Sequence, residues 1–118
     1  MENDYYQSEI LLSLLKNTSL TENRYSQTIS AIQNMKSSYY QATVLQSLIN
    51  KNVKGEKEWR QLITYTKKID SDYYKSEVLK KIAATMPDSE TLKKEFIEVA
   101  ETISSDYYYR TVVRAMIE

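Results

Sequence analysis

The apolar positions along this chain recur at helical spacing from one end to the other. In "DYYKSEVLKKI", residues 72–82, Tyr74, Val78, Leu79 and Ile82 fall at i, i+4, i+5 and i+8, which is one face of a helix. A second periodic stretch passes through Trp59, Leu62, Ile63, Thr66 and Ile69, and again through Phe96, Ile97, Ala100 and Ile103, with the same period. The first kind of segment is helix B and the second helix A. Gly55 and Pro87 are the single glycine and single proline, too few breakers for a sheet protein built on tight turns.

The helix B pattern returns four times. Tyrosine pairs stand at Tyr5-Tyr6, Tyr39-Tyr40, Tyr73-Tyr74 and Tyr107-Tyr108, 34 residues apart each time. Their flanks, "DYYQSEILLSLLK", "SYYQATVLQSLIN", "DYYKSEVLKKIAA" and "DYYYRTVVRAMIE", align without a gap. With 11 tyrosines in 118 positions, about one adjacent pair would arise by chance, so four in one register indicate an internal repeat.

The punctuation agrees with both assignments. Thr21, Gly55 and Ser89 precede helix A as acceptable N-caps, each followed by a glutamate (Glu22, Glu56, Glu90) where negative charge suits the helix dipole. Leu20 and Tyr25 sit where a hydrophobic staple would place them. Ser37, Ser71 and Ser105 are placed to cap helix B, with Asp72 or Asp106 at its positive end. So short an A–B connection folds the two helices antiparallel.

The expected fold is therefore all-α, an α-solenoid of 34-residue antiparallel helical hairpins with seven helices in one domain over 1–118. Helix B spans 4–16 and hairpins follow over 22–50, 56–84 and 89–118. Helices this short are marginal alone in water and need neighbours to pack on. Leu12 stands where later units carry Gln46, Lys80 and Arg114, so the first helix is expected to be covered by an upstream helix or by another chain. A fragment of a longer protein, or a homo-oligomer formed through the N-terminal helix, would satisfy this.

A 34-residue helical hairpin resembles the tetratricopeptide repeat, carried here by Trp59, Leu62 and Pro87. Ile63 and Lys75 stand where that family has small residues. A weaker resemblance, carried by Ser71, Asp72, Tyr73, Val78 and Leu79, is to S-D-Y-type helical repeats of uncharacterised bacterial proteins. The tetratricopeptide resemblance implies a scaffold whose concave face grips a peptide through helix A residues.

Composition narrows the function. Lys plus Arg equals Asp plus Glu at 16 each, a balance with no global field to hold nucleic acid or an anionic membrane. No apolar run approaches the roughly 20 residues of a membrane span, and the N-terminus lacks the pattern of a signal peptide. No cysteine and no histidine are present, which removes disulfides, thiolate sites, the usual general base and the commonest transition-metal ligand. Glu9 and Glu77 are equivalent positions two units apart, too distant to act as an acid–base pair. One glycine cannot build a phosphate loop. Neither an enzyme nor a cofactor is expected.

The tyrosines are the remaining candidates. The second ring of each pair (Tyr6, Tyr40, Tyr74, Tyr108) heads a stripe with Ile10, Val44, Val78 and Val112 and is expected in the core. The two rings of a pair point about 100° apart around the helix and are expected to do separate jobs. Tyr5, Tyr39, Tyr73 and Tyr107 lie on a mostly polar face and would form a ladder. They are either a stripe that binds a protein or peptide partner or wedges that hold the superhelical pitch; retention in every unit favours the wedge.

Residues 51–68 hold six basic and two acidic side chains, and 86–106 six acidic and two basic. The basic segment is either a docking patch or the partner of the acidic one. The second reading, with Lys57, Arg60 and Lys67 facing Glu95, Glu98 and Glu101, is preferred. The expected function is a noncatalytic module for protein–protein interaction or scaffolding. Helical-repeat nucleic-acid binding and a purely structural spacer or oligomerisation segment are the alternatives.

Overall fold

The computed structural model describes residues 2–17, 22–49 and 55–117. Among the described residues run seven α-helices and no strand: α1 (Glu2–Asn17), α2 (Glu22–Gln33), α3 (Ser38–Ile49), α4 (Glu56–Thr66), α5 (Asp72–Thr85), α6 (Glu90–Ala100) and α7 (Asp106–Ile117). Helix α1 extends beyond the expected 4–16 at both ends. Thr21 and Leu20, the expected cap and staple of α2, lie outside the described residues, as does the side chain of Tyr25.

Local chemistry sets these boundaries. Ser37, Ser71 and Ser105 accept the N–H of Tyr40, Tyr74 and Tyr108 at 3.5, 3.3 and 3.4 Å, satisfying a donor that the first helical turn would leave free. Ser89 does the same for Leu92 at 3.3 Å. Gly55 caps α4 through its extended backbone alone. All three A–B turns close alike. Met35, Ile69 and Ile103 donate their N–H to the carbonyls of Ile32, Thr66 and Ala100, and each then buries its side chain.

The helices form two layers. Helices α1, α3, α5 and α7 pack side by side in that order, and α4 packs on α6. Equivalent starts meet: Tyr5 touches Tyr40, and Ser89 at the head of α6 donates to Glu56 at the head of α4 at 2.8 Å. Neighbours within a layer therefore run parallel. The shortest dimension, 18 Å, suits two layers of helices packed roughly 8 to 10 Å apart.

The core lies between the layers. Val44, Leu45 and Leu48 of α3, Leu62 and Ile63 of α4, Val78, Leu79 and Ile82 of α5 and Leu92 and Phe96 of α6 are fully enclosed. At the α1 end the expectation needs correcting. Leu12 packs against the core, whereas Tyr6, Ile10 and Leu14 are 62%, 62% and 50% exposed. Their equivalents Val44 and Leu48 have no exposure because α1 covers them, and nothing among the described residues covers α1 in turn.

Candidate functional site

The aromatic rings join into one chain. From Tyr6 to Tyr5, Tyr40, Tyr39, Tyr74, Tyr73, Tyr108 and Tyr107, successive centroids lie 5.3, 6.1, 5.0, 5.8, 5.0, 5.8 and 5.2 Å apart. Every contact is edge-to-face, at 65° to 74°, the geometry that the ring quadrupoles favour. The two rings of a pair thus share one job, contrary to expectation. Their Cβ atoms diverge around the helix, but long side chains lean back toward the helix N-terminus, and there the tips converge.

Burial corrects a second expectation. Tyr40, Tyr74 and Tyr108 are only partly buried at the edge of the core, and Tyr6 is exposed. The candidate partner-binding residues Tyr5, Tyr39, Tyr73 and Tyr107 are 44%, 52%, 48% and 70% exposed. They do not touch one another directly. Tyr5, Tyr39 and Tyr73 each bear on the second ring of the next unit, so the stripe is both a packing device and half open to solvent.

Asp4 and Asp72 add a polar rail beneath the rings. Asp4 accepts the N–H of Lys36 and Ser37 at 2.9 and 2.8 Å, Ser38 accepts that of Ser71 at 3.3 Å, and Asp72 that of Ser105 at 2.9 Å. Asp72 does begin its own helix, but its carboxylate also ties down the next turn.

A second feature lies on the helix A layer, where sequence patterning had singled out a basic segment. A groove of about 420 Å³ separates α2 from α4. Ile29 and Tyr65 line it together with Gln33, Gln61 and Thr64, and the cations Lys57, Arg60 and Lys68 share that lining, with no carboxylate among its described residues. The Lys68 ammonium stands 5.8 Å from the Tyr65 ring centroid. Burial raises the Tyr65 phenol above its ordinary pKa, with a hydrogen bond to Gln41 opposing.

The sequence explains why the gap opens here. Between α4 and α6, one of the expected ion pairs forms, Arg60 with Glu95 at 2.9 Å, and Glu56 accepts from Ser89; among the described residues Lys67 does not pair with Glu98 or Glu101. One period earlier, the places of Arg60, Glu95 and Ser89 are held by Ser26, Gln61 and Gly55. Those residues can form neither the ion pair nor the serine–glutamate bond. Apart from the basic cluster itself, this missing pair is the signal by which residue patterns alone could have located the groove.

Set against known proteins, the chain matches no family model, no curated protein and no solved structure. Among the described residues no cluster of acidic side chains is arranged to hold a metal ion, and no helix is long and apolar enough to cross a membrane. The arrangement presents hydroxyl-tipped rings on one edge and a cationic groove on the other layer.

Proposed function

We propose that this chain is a short α-solenoid, tetratricopeptide-like in its 34-residue period, that binds or scaffolds another protein and performs no catalysis. The observation that carries this reading is unit-to-unit equivalence. Asp4–Ser37, Ser38–Ser71 and Asp72–Ser105 are one contact made three times, as are Tyr5–Tyr40, Tyr39–Tyr74 and Tyr73–Tyr108. Such stacking generates extended open surfaces on which peptides lie. Selection of a displayed random-peptide library on the immobilised chain tests it. Enrichment of a common peptide pattern supports the proposal; no enrichment, or salt-sensitive binding of single-stranded RNA instead, overturns it.

A second reading is favoured by the bare face of α1. Tyr6, Ile10 and Leu14 form an apolar stripe on one side of that helix. The far end of the stack is unlike it: Arg110, 73% exposed in its side chain, replaces the buried Ser8, Ala42 and Ser76 of the other units. Head-to-tail stacking would drive that arginine into a close helix contact, so two copies would pair through α1 about a two-fold axis. Ile10→Lys should then return a dimer to monomer in sedimentation velocity.

A further inference from the structure

We infer that the groove between α2 and α4 takes an extended acidic segment of the partner protein. This rests on the protein-binding reading above and deepens it.

Three observations converge on that ligand. Among its described residues the groove lining carries Lys57, Arg60 and Lys68 and no carboxylate, a local excess of positive charge in a chain whose charges balance overall. Arg60 spends Nε and Nη2 on a single oxygen of Glu95, both at 2.9 Å. A guanidinium has five N–H donors, so others remain for a carboxylate. Gln33 and Gln61 on the walls each offer an amide that can both donate to and accept from a peptide backbone.

Nucleic acid fits the lining less well. Among the described residues of the lining the one aromatic side chain, Tyr65, is 4% exposed and presents no free ring face for a base to stack on.

The internal comparison supplies the test. Ser26→Arg with Gln61→Glu transplants the Arg60–Glu95 pair one unit upstream, bridging α2 to α4 across the groove. Lys68→Glu, at an exposed position, is a milder second variant that leaves the helix contacts in place. The probe is a fluorescein-labelled peptide of alternating glutamate and valine, read by anisotropy at low salt, with a lysine–valine peptide and an oligouridylate as comparison ligands.

The glutamate peptide should bind the unaltered chain, weaken as salt rises, and lose about tenfold or more in affinity to each variant, while thermal melts show that both variants remain folded. The lysine peptide should not bind. Unchanged affinity in Lys68→Glu, absence of binding by the glutamate peptide, or tighter binding of the oligouridylate overturns the inference. The two levels fail separately. Library peptides that bind both variants as well as the unaltered chain would relocate the site while keeping a protein-binding role, whereas an empty selection removes that role itself.

Discussion

Asp4 holds the turn that ends at Ser37: its Oδ2 accepts the Ser37 N–H at 2.8 Å and the Lys36 N–H at 2.9 Å, although Asp4 and Ser37 are 33 residues apart. The carboxylate is buried, at 5% residue exposure, so its removal leaves two backbone donors short of partners. Asp4→Ala should cost about 2 kcal/mol, read as a lowered denaturant midpoint. Asp106, the equivalent at the far end, makes an exposed pair with Arg110 at 3.0 Å. Asp106→Ala should shift stability by no more than about 0.5 kcal/mol. Equal losses in the two variants would mean that the rail contributes nothing.

Position along the ring chain should grade the tyrosines. Tyr39 touches both Tyr40 and Tyr74, whereas among the described residues Tyr107 makes a ring contact with Tyr108 alone and is 70% exposed. Tyr39→Ala should destabilise more than Tyr107→Ala. A double-mutant cycle on Tyr39 and Tyr74 should return a coupling of about 0.5 to 1.5 kcal/mol. Zero coupling would identify the ring contacts as incidental and return Tyr39 to the role of a pure binding residue.

Lys75 is a buried cation, 6% exposed, with its ammonium 3.0 Å from the Thr102 hydroxyl. Burial lowers its pKa below the ordinary 10.5, Asp72 and Asp70 oppose the shift, and Lys67 adds to it. Below the folded-state value both states are protonated and the full cost is present. Between that value and 10.5 the unfolded chain holds more protons, so stability rises with pH. Gln41 stands at the equivalent place and donates to the Met35 carbonyl at 2.8 Å. Lys75→Gln should therefore stabilise by about 1 kcal/mol at neutral pH. The advantage should shrink as pH approaches 10.5; a pH-independent difference in melting temperature would refute the account.

The cap at Ser71 gives a local control. Its hydroxyl accepts from Tyr74 N–H while its own N–H reaches Ser38, so Ser71→Ala removes the cap and keeps the inter-unit bond. A loss of about 1 kcal/mol is expected. Ser71→Asp should recover most of it, and failure to do so would show that the cap is not what stabilises α5.

The helical class, the approximate spans of the helices and the serine caps were legible in residue order, because i to i+4 bonding, capping and apolar period are all settled within a few residues. So was the recurrence of Tyr5, Tyr39, Tyr73 and Tyr107. What the tertiary structure decided is everything that depends on the next helix over. Whether a Tyr6-type ring is bare or half covered turns on a neighbour 34 residues away, and so do the meeting of Tyr5 with Tyr40, the carboxylate of Asp4 on a distant turn, and the opening between α2 and α4. Residue spacing determines which side chains share a helix face; only packing determines what stands opposite that face, and exposure and charge pairing follow from what stands there.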